Sequence, residues 1–398
     1  MKKTLALVLA LVMVLGLVAC GGSKPAATTP TAAPAAPAAA PAEQPAEQPA
    51  EEPAAEPAVC VAMVTDYGDI TDQSFNQTTY EACKALCEGK GVDFTYFKPA
   101  SDSDEDRVSM IEKAIDEGYN VIVMPGYAFA PAIAATAPNY ADVTFIALDV
   151  SEYDLTSAGL TELPANLYSA VYQEELCGYM AGFAAVKLGY TKLGFLGGMA
   201  VPAVVRYGYG FVQGADAAAA EIGADVTLKY AYGNQFYGDA DITAAMDTWY
   251  ADGTEVVFAC GGGIFNSAGE AAAKVGAKVI GVDVDQAGTI DGLYGEGMTV
   301  TSAMKGLAAT VNTQLSAVLD GAFKGGMVEN LGLVSNVPEE NYVQLAGSTQ
   351  FGEGFTAEDY AALVASMFAG DVTVSNDISV AAADNASTIT VDDLGNLK

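Results

Sequence analysis

From residue 59 onward the chain alternates between short apolar runs and longer segments whose apolar residues recur at helical spacing. The first run, residues 59–64, carries no charge and is followed by Thr65, Asp66, Gly68 and Asp69. A run that is apolar throughout predicts a strand buried on both faces, as in a parallel sheet covered by helices. Residues 78–89 predict the helix that follows. The unit then repeats, with strands over 92–97, 120–124 and 143–150 and helices over 105–117 and 131–140. Residues 165–172 predict a strand that crosses to a second lobe, and 173–188 a long helix. There the alternation restarts, with strands over 192–196, 226–231, 256–260, 278–282 and 298–304 and helices over 204–222, up to Tyr250, and over 267–275. Strands alternating with helices predict parallel sheets. Two such stretches imply a duplicated Rossmann-like unit with a cleft between the halves, and open α/β sheets hold ligands beyond the carboxyl ends of their strands.

The pattern differs at both ends. Residues 1–19 begin with two lysines, continue as an apolar run and close on Leu17-Val18-Ala19-Cys20. A basic start, a short apolar core and small residues before the cut describe a secretory signal. The Cys20 that ends it, followed by Gly-Gly-Ser, resembles a bacterial lipobox, in which the thiol is acylated. A plain membrane anchor is the alternative, but the run is shorter than the ~20 residues that a spanning helix needs. Residues 20–58 are dominated by Ala, Pro, Thr and Glu and predict an extended tether with no core of its own. At the other end, helices over 306–320 and 356–369 and a short strand over 332–337 precede a polar tail, 376–398, expected to be poorly ordered.

Charge narrows the partners. The chain has 17 basic and 50 acidic residues, a net of −33. Setting aside the three lysines and five glutamates of the first 58 residues leaves 14 basic and 45 acidic in the folded part. This argues against nucleic acid as a partner and against a polyanionic ligand, and leaves a neutral small molecule unopposed. With no histidine in the chain, Ser-His-Asp and Cys-His nucleophile systems are excluded. Cys60, Cys83, Cys87, Cys177 and Cys260 lie in apolar surroundings and read as core residues rather than metal ligands or disulfides.

Several stretches follow one another in a telling order: VTDYGDITDQSFNQ, NLYSAVYQEELCGYMAGFAA, KLGFLGGMAVPAVVRYGYGFVQG, VIGVDVDQ, TSAMK and FTAEDYAALVASMFAGDVTV. Together they resemble the basic membrane protein family, the PnrA-like nucleoside-binding lipoproteins of ABC importers, over nearly all of residues 59–375. The resemblance implies a type 1 periplasmic-binding fold with three crossovers, near Ala165, Gly297 and Ser335. Residues 59–165 with 297–335 would form one lobe, and 166–296 with 336–375 the other. It also implies a monomer that captures a purine nucleoside without cofactor or metal. The protein would be lipid-anchored through Cys20 on the extracytoplasmic face of the cell membrane, and would deliver its cargo to a permease served by an ATPase inside the cell. A sugar or signal receptor of the same fold and a carboxylate-dependent nucleoside hydrolase remain as alternatives.

Eight residues are candidate ligand contacts. Asp66 ends the first strand, where it can also cap a loop. Phe75 is an apolar ring among polar neighbours and can stack on a base, with Phe236 on the opposite face and Phe129 and Phe265 as rivals for that second place. Asn76 offers a donor and an acceptor to a purine edge, or else caps a helix. Asp149 and Asp283 stand at strand ends, one per lobe, and a carboxylate there can accept two ribose hydroxyls. Asp283 with Asp285 also has the spacing of an open cation site. Gly262 belongs to a glycine turn whose N–H groups can meet a hydroxyl or merely allow the turn. Lys305 ends an apolar strand and needs an acidic partner or a ligand oxygen.

Overall fold

The computed structural model describes residues 58–398. The expected leader (1–19), the acylated Cys20 and the tether up to residue 57 lie outside the described residues.

The strands in chain order are β1 Cys60–Val64, β2 Asp93–Phe97, β3 Val121–Pro125, β4 Thr144–Leu148, β5 Leu167–Tyr172, β6 Lys192–Gly197, β7 Thr227–Tyr232, β8 Val256–Cys260, β9 Lys278–Asp283, β10 Thr299–Lys305, β11 Met327–Leu331, β12 Val343–Leu345 and β13 Thr390–Asn396. They form two sheets, ordered β11-β5-β4-β3-β1-β2 and β12-β10-β9-β8-β6-β7-β13. Every pairing is parallel except β10 with β12. The central strands are buried along their whole length, as in β3 and β8, which is why their sequences are continuously apolar rather than alternating. Both sheets share one internal order, so β4 and β9 are equivalent, as are β5 and β10.

The helices are α1 Phe75–Lys90, α2 Asp104–Asp116, α3 Ala130–Thr136, α4 Glu152–Ser157, α5 Glu174–Lys187, α6 Pro202–Ile222, α7 Ala240–Ala251, α8 Phe265–Val275, α9 Ala287–Tyr294, α10 Leu307–Leu319 and α11 Ala357–Ala369. Two short ones, α4 and α9, account for a difference from the expected segments. Parallel neighbours need a crossover, usually helical. α4 provides it between β4 and β5, and α9 between β9 and β10. β5 therefore pairs with β4 in the first sheet, and β10 with β9 in the second. The chain leaves the first sheet after Tyr172 rather than near Ala165, and leaves the second after Lys305 rather than near Gly297. The third passage, between β11 and β12, includes Ser335 as expected. The short strand expected over 332–337 is instead β11, five residues earlier.

The tail is ordered, contrary to expectation. A short 3-10 turn, Ala382–Asn385, leads into β13, which pairs with the outer edge of β7. Its acidic sequence reads as loop, but an edge strand is held by backbone pairing and tolerates charge, and all its residues but Val391 are exposed.

Helices α5 and α6 pack through small residues. A Cβ at Gly178 or Gly182 would collide with the α6 backbone, and one at Gly210 or Gly214 with that of α5. This close approach brings the first turns of the two helices together and sets Glu174 beside Arg206.

Candidate functional site

A cavity of about 680 Å³ lies where the carboxyl ends of both sheets meet. All eight candidate residues line it: Asp66, Phe75, Asn76, Asp149, Phe236, Gly262, Asp283 and Lys305. Each lies just beyond a strand or at its last residue, except Phe75 and Asn76, which form the start of α1 rather than a loop. The helix begins earlier than expected because Asp72 caps it. Its carboxylate accepts the N–H groups of Ser74, Asn76 and Gln77 at 2.9, 2.9 and 3.0 Å.

Four non-glycine residues among those described have positive φ: Gln73, Asp149, Asn234 and Asp283, at 57° to 64°. All four line this cavity. Such backbone is costly for a residue with a Cβ and persists where surrounding structure enforces it, typically at functional sites. At Asp149 and Asp283 it turns the chain off the strand end, so that each carboxylate points at Lys305. It also ends the two-residue alternation on which an Asp283–Asp285 cation site depended. Asp283 is buried, whereas Asp285 is exposed and bonded to Ala287 N–H and Ser348 Oγ. No group of three or more metal-ligating side chains occurs among the described residues.

Lys305 is the hub. Its Nζ lies 2.6 Å from Asp149 Oδ2, 3.2 Å from Glu174 Oε1 and 3.9 Å from Asp283 Oδ1, with only 2 % of its side chain exposed. Rings of Phe75, Tyr172 and Tyr207 surround the ammonium at 4.8, 5.4 and 5.7 Å. Burial would lower its pKa, but the three carboxylates together push it well above the ordinary lysine value. Glu174 is itself shared with Arg206, whose Nε lies 2.6 Å from Oε2. Burial works against ionisation of Glu174, but Arg206 and Lys305 prevail and hold it below the usual range. Asp149 differs: burial, with the Glu174 charge beside it, raises it to about 6 against the pull of Lys305. Asp283 is likewise raised by burial, partly offset by Lys305.

Contacts close the cavity from both sides. Ser74 Oγ, on the first-sheet side, donates to Asp283 Oδ2 at 2.6 Å, and Gln286 Nε2 donates to Gln73 O at 3.0 Å. Tyr67 OH donates to Met199 Sδ at 3.4 Å, and its ring stands 6.3 Å from that of Phe236 with 27° between planes. Phe236 therefore faces Tyr67, while Phe75 faces Lys305. The rivals Phe129 and Phe265 are fully buried in the cores of the two halves.

Some plain structural roles are also present. Asp66 Oδ1 accepts the N–H groups of Tyr67 and Gly68 at 2.6 and 2.7 Å, as a loop cap does. Burial nevertheless raises its carboxyl above the ordinary value. Asn76 donates Nδ2 to Asp72, and its Oδ1 is buried without a partner. Gly262, with φ 51°, presents no Cβ to Phe236, and the N–H of the neighbouring Gly263 is already bound to Phe236 O at 2.9 Å. Sequence reasoning missed Tyr67, Ser74, Glu174, Arg206 and Tyr207 as parts of the site. The usable signal was Arg206, a lone cation in an apolar, glycine-rich helix, which needs a buried acid nearby.

Two parallel α/β sheets joined by three passages, with a ligand-sized cavity at their facing strand ends, define the type 1 periplasmic solute-binding architecture. A crystal structure of an ABC-transporter solute-binding protein from Aeropyrum pernix K1 has the same fold, with TM-score 0.62 and 23 % identity over 80 % of this chain and 88 % of that one. The chain belongs to the family of PnrA-like ABC transporter substrate-binding proteins, whose model matches residues 59–344. It is 30 % identical over 286 residues to the ABC transporter nucleoside-binding protein BmpA of Lactococcus lactis, covering 67 % of this chain and 77 % of that one. Basic membrane protein A of Borreliella afzelii is 27 % identical, covering 70 % and 81 %. The chain is thus a substrate-binding protein of an ABC transporter, of an extracytoplasmic class whose ligands are small molecules. No described helix is long and apolar enough to cross a membrane.

Proposed function

We propose that the protein captures an uncharged purine nucleoside in this cavity, as a monomer, and delivers it to a membrane permease driven by a cytoplasmic ATPase. The observation that carries the reading is the division of the cavity into two ends. One end is walled by the Tyr67 and Phe236 rings, and the other holds acceptor carboxylates. Among the latter, Asp149 Oδ1 is buried without a partner. A base gains from aromatic stacking and a ribose donates two hydroxyls, so a nucleoside satisfies both ends at once. The cavity lysines support an uncharged cargo: Lys305 is saturated by acids, and Lys98 is paired with Asp69 at 2.8 Å. A phosphate would meet carboxylates instead. The nucleoside-binding relative from Lactococcus lactis supports the same reading.

Ligand contacts from both halves favour the closed form, so binding shifts an open–closed equilibrium. Attachment through a lipid on Cys20 keeps the binding domain within reach of its permease. The test is a thermal-shift panel of inosine, guanosine, adenosine, their 5′-monophosphates and common sugars. A rise in Tm with nucleosides alone is expected. A rise with sugars alone would favour the receptor reading, and release of free hypoxanthine from inosine would favour the hydrolase.

A further inference from the structure

We propose that the C-terminal segment, residues 371–398, is a strap that positions the loop bearing Phe236 and so tightens the grip of the closed cavity. This segment lies beyond the part of the chain matched by the family model, which ends at residue 344. It runs along α6, which lines the cavity, and then along β7, which leads into the lining loop that bears Phe236.

On α6 the strap is held at three places. Gln213 exchanges two hydrogen bonds with the backbone of Ser375, at 2.9 and 2.8 Å. Tyr209 OH donates to Val380 O at 2.7 Å. Asp216 accepts three successive N–H groups, from Ser387, Thr388 and Ile389, at 2.9, 2.6 and 3.0 Å. The side chains of Ala382 and Ile389 are buried in the core. The same helix presents Arg206 and Tyr207 to the acid cluster on its opposite stretch.

On β7 the strap grips both ends of one loop. β13 pairs with β7 from Thr227 to Tyr232, and Leu397 N donates to Tyr232 O at 2.8 Å, where the loop leaves the strand. Leu397 packs on the core cluster that includes Ile242 and Ile264. The Lys398 ammonium bonds the Asp239 carboxylate, where the loop enters α7. Asp239 also caps α7 through the N–H groups of Asp241 and Ile242, and accepts Gln235 Nε2 at 3.0 Å. Between these two anchors stand Asn234, with its positive φ, and Phe236. The inner side of the loop is tied to glycine turns: Gly233 and Asn234 N–H groups to Gly197 and Gly198 carbonyls, and Phe236 O to Gly263 N–H. Ser267 Oγ also takes the Asp239 N–H at 3.0 Å on this side, so the inner ties hold the base of the loop and the outer anchors add the restraint on its free flank. Without them, β7 is a bare edge and the loop must be ordered again each time ligand is held.

The experiment compares the full chain with one ending at Gly370, and with Lys398→Ala, Lys398→Arg and Asp216→Asn. Hydrogen–deuterium exchange of amides 233–239 reads loop order directly, without ligand. Exchange there should rise in the truncated chain and in Lys398→Ala, and return toward the full-chain level in Lys398→Arg. Strands β3 and β4 should be unchanged. The second readout is the dissociation rate of inosine, which rests on the nucleoside reading. Truncation should raise that rate by about tenfold, the ordering cost of one or two side chains. In a Phe236→Ala background truncation should add nothing, which a merely stabilising tail would not produce. Should the truncated chain fail to fold, Asp216→Asn and Lys398→Ala carry the same comparison. Unchanged loop exchange in folded variants, or an equal effect of truncation with and without Phe236, overturns the proposal. Failure of the full chain to bind inosine would overturn the nucleoside reading and leave the exchange result to decide on the strap.

Discussion

Asp149 and Asp283 occupy matching positions in the two halves, at the ends of equivalent strands, in the same left-handed backbone, aimed at the same lysine. Their surroundings differ. Both oxygens of Asp283 are engaged, Oδ2 by Ser74 at 2.6 Å across the cleft and Oδ1 by Tyr207 at 3.3 Å. Asp149 is closer to Lys305, but its Oδ1 has no partner. The two halves carry two copies of one device in different surroundings. Asp283 latches one half to the other, while Asp149 is the one that the proposed function assigns to the guest.

The lysine they share offers the largest way to break the pair. Lys305→Met leaves Asp149, Glu174 and Asp283 buried with only Arg206 to compensate. Removing one partner of a buried ion pair costs about 3–5 kcal/mol. Urea unfolding should show a loss of that size, and adding Asp149→Asn should restore part of it. Full stability in Lys305→Met would mean that the acids are already neutral and the hub is not ionic.

The next effect separates the two aspartates. Asp149→Ala removes a charged acceptor from the ligand, worth roughly 1.5–3 kcal/mol, so inosine affinity should fall by about ten- to hundredfold. Ser74→Ala removes only the latch. It should weaken binding by a few-fold, about one neutral hydrogen bond, and enlarge the free protein in small-angle scattering. Equal losses in the two variants, with no change in scattering, would erase the distinction.

How much of this was legible follows from what each feature depends on. Strand runs such as FIALDV and VIGVDV declare themselves because both faces are buried, and their repetition announces the duplication. The terminal aspartates were found because a charge at the end of an apolar run is conspicuous. The acid cluster around Lys305 could be guessed only as "some carboxylate". Its true partners, Glu174 above all, come from α5, and no spacing rule links residue 174 to residue 305. Tyr67 escaped notice because one aromatic in a polar loop is commonplace, and only the fold sets it opposite Phe236. The short helices α4 and α9 and the strand β13 were missed for a shared reason. Six to eight residues, or an edge strand exposed along nearly its whole length, leave too little periodicity to read.

The smallest expected effect concerns pH, and it again divides the pair. Burial raises Asp149 to about 6, with Lys305, Glu174 and Arg206 as the charges facing it. An acid raised in the folded state binds protons more tightly there than in the unfolded chain. Its ionisation therefore costs stability as pH rises from about 4, the unfolded value, to about 6, and the loss is complete above that. Ligand affinity runs the other way. A hydroxyl donated to Oδ1 favours the ionised carboxylate, so nucleoside binding should strengthen as pH rises through about 6 and level off by about 7. In Asp149→Asn that step should vanish, because an amide does not titrate there. Ser74→Ala leaves Asp149 untouched and should keep the step at weaker affinity. Calorimetric titrations with inosine between pH 5 and pH 8 read all three profiles. A step that survives Asp149→Asn would belong to another carboxylate, with Asp283 and Asp66, both raised by burial, the first to exchange in turn.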